Sequence, residues 1–296
     1  MKIIHRLSFN KNEEIESYLN GIGIKLEITE SKLARLVQCY IDDSDGRWFE
    51  IQNKIKNKDI SHIEGLEYSK EDFDNSSWFQ INVSESVYPQ PEGNLGYREA
   101  TYNLEKYCPS CGIGLIQNKP FRLKADIKTK NYKLLGLHWA FDAIFIRPEA
   151  KEMFEKNSIS GVTYSHPILD KSEKPISNLY QLEIKTILPK GYIPTEDEQV
   201  TCKLNNEEYE RTLKNTGLVP KQGNTFCYRI KFLYPRTHMM TFDKKIFNNV
   251  PDFVKTNEWF GSGFSSVQVN LVSEKVYNLV TSMKWRGIVF KPIELR

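Results

Sequence analysis

The pattern of apolar and polar positions predicts two strand–helix–strand units in the second half of the chain. In residues 141–168, an apolar strand leads to a helix that begins near Pro148, and a second strand follows Gly161. Residues 264–293 repeat this plan, with Ser273 as the helix cap. Neither element can hide its apolar side alone, so each unit is expected to pack its helix on a sheet. The alternative is that any two such units look alike, because short periodic patterns are permissive.

Shorter elements are predicted before these units. Asn10 and Glu13 resemble a capping box, which favours a helix near the start of the chain. Apolar residues at helical spacing predict a second helix over residues 33–41. A short helix capped by Ser69 is then expected to lead into a strand over residues 78–83.

Prolines and glycines cluster at residues 88–96, and this cluster predicts a boundary near Gly93. The 296 residues suffice for one large domain or two ordinary ones. We therefore expect an N-terminal α+β region over 1–93 and a second region over 94–296. The mixture of helical and strand patterns predicts an α+β fold with mixed sheets and packed helices.

The sequence CPSCG at residues 108–112 has the form of a zinc knuckle in a zinc-ribbon-like hairpin, where a glycine after the second cysteine allows a tight turn. Structural zinc takes four ligands, and the sequence has no second CxxC. The other two cysteines in this half would complete a four-thiolate site and clip the segment between the two units to the hairpin. The predicted ligands of a structural Zn²⁺ are Cys108, Cys111, Cys202 and Cys227.

Other interpretations of the cysteines stay open. His138, His166 and His238 could act as ligands, although their apolar and aromatic neighbours are typical of packing histidines. A thioredoxin-like redox pair needs a strand-to-helix junction, whereas extended, proline-interrupted residues follow the CPSC. A metal-free relic of a knuckle is a third possibility. The fifth cysteine, Cys39, lies near an apolar stripe and is expected to be a buried, inert thiol.

Composition and charge narrow the protein class. A hydrophobic fraction of 40% with 12% aromatic residues is typical of a globular chain, and a mean hydropathy of −0.52 indicates a well-solvated surface. The net charge of +3 provides no general basic field for nucleic acid or an anionic membrane. The sequence has no apolar run of signal-peptide or membrane-spanning length, and its five cysteines are sparse. These features predict a cytoplasmic protein without a membrane partner.

No catalytic pattern of the GxSxG, HExxH, DFG or P-loop type occurs, so the sequence predicts a protein that is not an enzyme. Gly261-Ser262-Gly263 is interpreted as a flexible turn before a strand. The basic run at residues 124–133 lies near the knuckle, which keeps a nucleic-acid-binding zinc ribbon as the alternative function. Few aromatic residues interleave with that run, so nucleic acid is not the favoured partner.

The CPSCG motif, together with LVSEK from Leu271 and GIVFKPI from Gly287, resembles bacterial double-CXXCG proteins and the related immunity proteins of polymorphic toxins. The resemblance covers residues 78–296. The second CXXCG of that family is absent here, and Cys202 with Cys227 would be a degenerate replacement. The resemblance implies a binding protein that neutralises a cognate bacterial toxin by direct occlusion.

An immunity protein needs a rigid surface with a few aromatic or arginine anchors. Trp259 and Phe260, beside the glycine-rich turn, are the predicted partner-binding residues, and core packing is the alternative for both. Three function classes follow in order of preference: an inhibitory binding protein, a nucleic-acid-binding zinc ribbon, and an enzyme of unrecognised type.

Overall fold

The computed structural model describes residues 1–31, 35–84, 86–87, 90–93, 95–127, 132–138 and 140–296. The chain forms two compact units. The first consists of Met1–Asn75 with Pro235–Met239, and the second of Ser76–Tyr234 with Met240–Arg296. The α+β fold with mixed sheets is confirmed.

The division between the units lies at Asn75–Ser76, earlier than the boundary predicted near Gly93 for regions 1–93 and 94–296. The reason is that residues 78–83 form a strand inside the largest sheet of the second unit, where it pairs with two strands from the end of the chain. Part of the proline–glycine cluster and part of the basic run lie outside the described residues, namely 88–89, 94 and 128–131.

The first unit is an antiparallel sheet with helices packed on it. Its elements are β1 (Lys2–Asn10), α1 (Glu13–Gly21), β2 (Glu27–Glu30), β3 (Arg35–Asp42), α2 (Trp48–Ile55), β4 (Ser61–Glu67) and α3 (Lys70–Asp74). The strand order is β2-β3-β1-β4. Its core comprises Leu7, Phe9, Ile15, Leu19, Ile24, Val37, Cys39, Ile41, Trp48 and Ile51.

Helix α1 is confirmed, but its N-cap is Asn12 rather than Asn10, because the Asn12 side chain accepts a hydrogen bond from the Ile15 N–H. The helix capped by Ser69 and the strand that follows it are also confirmed. Cys39 is buried as predicted, and burial raises the pKa of its thiol to about 11.

The predicted second helix over residues 33–41 is wrong, because residues 35–42 form β3; residues 33 and 34 lie outside the described residues. In β3, Val37, Cys39 and Ile41 are buried at every second position, whereas Leu36 and Tyr40 are exposed. Apolar residues on both faces of a short strand also satisfy a helical spacing, which is why the pattern was ambiguous.

The second unit contains two larger sheets and several short strand pairs. The first half of its elements is β5 (Trp78–Val83), β6 (Ser86–Val87), α4 (Tyr97–Thr101), β7 (Tyr102–Asn103), β8 (Ile116–Gln117), β9 (Arg122–Leu123), β10 (Leu134–Leu137), β11 (Ala140–Ile146), α5 (Pro148–Lys156), β12 (Val162–Ser165), β13 (Ile168–Leu169) and β14 (Tyr180–Ile184). The second half is β15 (Gln199–Thr201), α6 (Asn206–Thr216), β16 (Ile230–Phe232), β17 (Thr241–Phe242), β18 (Phe253–Phe260), β19 (Val267–Ser273), α7 (Glu274–Ser282), β20 (Ile288–Pro292) and β21 (Glu294–Leu295). Short 3-10 helices span Glu196–Glu198 and Lys244–Phe247.

The larger sheets have the strand orders β12-β14-β11-β10-β6 and β15-β16-β18-β19-β5-β20, and the short pairs are β7-β8, β9-β13 and β17-β21. Buried aromatic and aliphatic side chains of both larger sheets form the main cores of this unit. Among the described residues, every helix is too short or too polar to cross a membrane.

Both predicted strand–helix–strand units are present, as β11-α5-β12 and β19-α7-β20. Each helix has nine residues and is followed by a non-glycine residue at positive φ, Ser158 in one unit and Lys284 in the other. In the sheet, an antiparallel strand lies between the two strands of each strand–helix–strand unit. This strand is β14 between β11 and β12, and β5 between β19 and β20. The separating strand follows the first unit and precedes the second, so the sequence pattern of either unit does not reveal it.

Each of the two strand–helix–strand units packs a glycine against a strand that neighbours the other unit. A Cβ atom on Gly161 would lie 2.3 Å from the carbonyl oxygen of Phe253, at the start of β18. One on Gly287 would lie 2.3 Å from the carbonyl oxygen of Leu134, at the start of β10. Because β10 and β18 pair with β11 and β19, the glycine of each unit packs against the hairpin of the other.

Candidate metal centre

The structure brings together the four cysteines that the sequence predicted as ligands. Their sulfur atoms all lie within 4.8 Å of one another, and all four residues are buried. The Cys108 and Cys202 sulfurs are 3.8 Å apart, as are those of Cys111 and Cys227. The arrangement could hold a metal ion, and it joins the CPSCG turn to the segment between the two repeated units.

The CPSCG turn lies at the tip of a hairpin whose arms are β7 and β8, as expected for a zinc-ribbon-like element. The Cys108 N–H donates to the Ile113 carbonyl at 2.8 Å, and the Gly112 N–H donates to the Cys108 carbonyl at 2.8 Å. Gly112 has φ +81, and a Cβ atom there would lie 2.5 Å from the backbone nitrogen of Ser266. The glycine is therefore required both for the turn and for close packing.

The second pair of cysteines comes from two chain segments on either side of α6. The Cys202 N–H donates to the Arg229 carbonyl at 2.9 Å, and the Cys227 N–H donates to the Leu204 carbonyl at 3.2 Å. These bonds extend the antiparallel pairing of β15 and β16 beyond both strands. The pairing sets Cys202 and Cys227 at one end of the sheet, facing the CPSCG turn.

N–H donors surround the sulfur atoms. The Cys111 N–H points at the Cys108 sulfur at 3.4 Å, and the Arg229 Nε–H points at the Cys227 sulfur at 3.3 Å. The Leu204 N–H donates to the Cys202 sulfur. Such donors stabilise thiolates, which are the form of cysteine that binds metal.

Deprotonation of one cysteine in the cluster disfavours deprotonation of its neighbours. A hydrogen bond from the Cys111 thiol, together with backbone N–H donors, outweighs burial and lowers the pKa of Cys108 to about 5. The same bond raises the pKa of Cys111 well above its usual value, and burial raises the pKa of Cys202 to about 11. Four thiolates can therefore coexist in this buried space if a cation compensates their charge.

Lys231 supplies positive charge beside the cluster. Its Nζ donates to the Gly263 carbonyl at 2.6 Å and to the Cys111 carbonyl at 3.3 Å, and the residue is buried. Burial lowers the pKa of Lys231, and the nearby sulfurs of Cys111, Cys202 and Cys108 oppose that shift. A divalent ion with four thiolates would carry a net charge of about −2, which a buried ammonium group partly offsets.

Replacing Lys231 with methionine keeps the length of the side chain and removes its charge. We expect Lys231→Met to weaken metal affinity by about 10–100-fold, as is usual for the loss of a supporting group around a metal site. Competition with a chelator of known affinity measures the change. Lys203→Met is the matched control, because Lys203 is exposed; equal losses in both variants would contradict a specific role for Lys231.

Histidine ligands and a thioredoxin-like redox pair were the other interpretations of the CPSCG motif, and the geometry supports neither. The cluster consists of cysteines alone among the described residues. The Nδ1 atom of His166 lies 3.0 Å from the Ile176 carbonyl and 2.9 Å from the Leu179 carbonyl, which is a packing role. His138 is exposed, and His238 belongs to the first compact unit. Turns and the short strand β8 follow the CPSC motif, rather than the helix that a thioredoxin-like pair needs.

Trp259 and Phe260 do not form the predicted surface pair. Both lie on β18, and Phe260 is fully buried, with its ring centroid 4.7 Å from that of Tyr192. The partner-binding prediction for Phe260 is therefore wrong, because the alternation of the strand directs it into the core. Trp259 is half-buried and packs on the hydrophobic cluster that surrounds the cysteines. The predicted turn after them is confirmed as the connection between β18 and β19.

Sequence reasoning missed an exposed apolar row next to the metal centre. Phe226, Tyr228 and Ile230 are 54%, 72% and 49% exposed, whereas the alternating residues Cys227 and Lys231 are buried. The signal in the sequence is the alternation over residues 226–231, which in an extended segment places Cys227 and Lys231 on one side and the three exposed apolar residues on the other. The face opposite the sulfurs is an apolar surface, which we call the aromatic row.

The second unit also contains a cavity of about 740 Å³, lined in part by Gln80, Asn82, His138, Tyr234 and Lys291. Partial desolvation raises the pKa of Tyr234 to about 12 and lowers that of Lys291, although both side chains keep solvent-exposed surface. A cavity with shifted titratable groups is where an enzyme of unrecognised type would bind its substrate. The prediction that the chain is not an enzyme stays a prediction.

Comparison of the chain with protein-family models and with curated proteins finds no match. The resemblance to the double-CXXCG proteins therefore rests on the motifs at residues 108–112, 271–275 and 287–293, and it stays a prediction.

Proposed function

We propose that the chain is a binding protein in which a structural Zn²⁺ on Cys108, Cys111, Cys202 and Cys227 fixes a surface for a protein partner. The observation that carries the proposal is the cluster of four buried sulfurs. Zinc–sulfur bonds of about 2.3 Å in a tetrahedron place the sulfurs about 3.8 Å apart. Two pairs of sulfurs lie at 3.8 Å. An all-cysteine, closed set of ligands favours a structural role for the ion over a catalytic one.

The aromatic row is the surface that this ion would support. Cys227 lies between Phe226 and Tyr228, so coordination of its sulfur would fix the backbone that presents both aromatic side chains. Large exposed aromatic residues on a rigid backbone are the residue type that dominates protein interfaces. Ordering them in advance reduces the entropy lost on binding.

The partner that we infer is a cognate bacterial toxin, neutralised by direct occlusion. This inference comes from the CPSCG motif and the C-terminal sequence, which resemble the double-CXXCG and immunity proteins, together with the exposed row beside the metal centre. The near-neutral net charge of +3 favours an apolar contact over an acidic surface that mimics nucleic acid.

Co-purification with an inactivated toxin encoded by a neighbouring gene tests the proposal. We expect a stable complex with the wild-type chain and a loss of about 30-fold or more in affinity for Tyr228→Ala, since central aromatic anchors contribute about 2 kcal/mol or more. Phe49→Ala is the matched control, because Phe49 is 75% exposed but belongs to the first compact unit.

Two outcomes would contradict the proposal. One is a complex whose affinity is unchanged in Tyr228→Ala and in the double variant with Phe226→Ala. The other is binding of DNA or RNA that weakens steeply with salt and depends on the aromatic row, because counterion release and base stacking would then identify the alternative, a nucleic-acid-binding zinc ribbon.

A further inference from the structure

A second group of potential metal ligands lies on the sheet of the first compact unit. His5 belongs to β1, and His62 and Glu64 belong to the neighbouring strand β4. His5 is directly opposite Glu64 in the register, and His62 lies two residues before Glu64. The two-residue period of a strand therefore places all three side chains on one face of the sheet.

Their ligand atoms converge. His5 Nδ1 lies 3.0 Å from His62 Nε2 and 3.8 Å from a carboxylate oxygen of Glu64. The ligand atoms of the three residues are all within 4.8 Å of one another. Two imidazole nitrogens bound to one zinc ion at about 2.0–2.1 Å would be about 3.3 Å apart in a tetrahedral site. Accommodating an ion would therefore need a shift of a few tenths of an ångström.

His5 is held in the orientation that a ligand needs. Its Nε2 lies 2.9 Å from a carboxylate oxygen of Asp43, and its ring stacks on Trp48 with centroids 3.9 Å apart. A proton on Nε2, donated to the carboxylate, leaves the lone pair on Nδ1 facing His62 and Glu64. A carboxylate behind a histidine is the usual supporting contact for a metal-bound imidazole.

We propose that His5, His62 and Glu64 hold a divalent transition-metal ion such as Zn²⁺, with water at the remaining coordination position. Two imidazoles and a carboxylate are donors that suit this class of ion. An ion can reach the site from solvent, since His62 is exposed and the Glu64 side chain is 31% exposed. Asp43 orients His5 without touching the ion.

Calorimetric titration of Zn²⁺ into the tag-free chain of 296 residues tests the site. The cysteine centre is first filled with one equivalent of zinc, so that further heat reports another site. We expect one more equivalent to bind the wild-type chain and none to bind His62→Ala or Glu64→Gln. Asp43→Asn is expected to weaken this second event by about 10–100-fold.

Glu67→Gln is the matched control, because Glu67 is exposed at the end of the same strand, β4, and should leave the second event unchanged. Far-ultraviolet circular dichroism establishes that each variant is folded, and exposure of His62 makes its replacement mild. If the wild-type chain takes up no further zinc, or if uptake persists in both His62→Ala and Glu64→Gln, the contact between His5 and His62 is a plain hydrogen bond and the inference fails.

Discussion

Cys108→Ser is expected to abolish metal binding at the four-cysteine cluster and to destabilise the second compact unit by more than about 4 kcal/mol. The Cys108 sulfur is fully buried and accepts backbone N–H bonds from the CPSCG turn. A hydroxyl group is a poor ligand for zinc, so Cys108→Ser would leave three cysteines to hold the ion. The CPSCG hairpin would then lose its metal-mediated link to the segment around α6. Elemental analysis gives the metal content, and urea unfolding gives the free energy.

Cys39→Ala is the matched control for this experiment. Cys39 is also fully buried, but it lies on β3 in the first compact unit. The control should cost about 1 kcal/mol through lost packing and should keep its full metal content. The structural role of the cysteine centre is excluded if Cys108→Ser retains both metal and stability, or if it retains stability while losing a partner.

Alanine at Gly287 is expected to destabilise the second compact unit by about 3–5 kcal/mol, from a strained backbone and a steric clash together. Gly287 has φ +94, and the added Cβ atom would lie 2.3 Å from the Leu134 carbonyl oxygen. A backbone atom cannot move aside as the end of a flexible side chain can. Gly161→Ala should cost a similar amount, because Gly161 has φ +87 and the same close approach to Phe253.

Gly217→Ala separates the two contributions. Gly217 ends α6 with φ +59, and nothing lies within 4 Å of its added Cβ atom. Its replacement should therefore show the backbone cost alone, about 1 kcal/mol. Equal losses of free energy in Gly217→Ala and Gly287→Ala, measured by urea unfolding, would show that the reciprocal contact between the repeated units adds nothing to stability.

The metal centre and the aromatic row share one short stretch of chain, and this links stability to the proposed binding. Removal of the ion should release Cys227 and disorder the backbone between Phe226 and Ile230, so partner affinity should fall together with metal content. The His5 group lies in the other compact unit. Its variants should leave binding at the aromatic row unchanged.

Several features could be predicted from sequence because they depend on local physical chemistry. The nine-residue helices α5 and α7 follow from a regular apolar face, and α5 also from the proline in its first turn. Ser273 precedes α7 as expected, but its hydroxyl donates to Asp252 instead of capping the helix. The CPSCG turn follows from the spacing of two cysteines and the freedom of Gly112 to adopt positive φ. The four cysteines could be identified because a four-thiolate site needs two ligands besides Cys108 and Cys111, and Cys202 and Cys227 are the only other cysteines in residues 94–296.

Other features depended on contacts between distant segments. Residues 35–42 became a strand because β1 pairs with residues 36–42 and β2 with residues 35–38, which overrides a spacing that fits a helix equally well. Phe260 entered the core because the neighbours of β18 cover that face of the strand, and Tyr228, in the extended segment before β16, stayed exposed because no described residue covers its side.

By itself, the sequence determined the α+β class, the two strand–helix–strand units and the four cysteines of the candidate metal centre, since each depends on residue type and on spacing along the chain. Only the tertiary structure decided the strand inserted into each unit, the reciprocal glycine contacts, the aromatic row and the convergence of His5 with His62 and Glu64. Those features join residues far apart in sequence, and their positions are fixed by strand pairing and burial rather than by any local pattern.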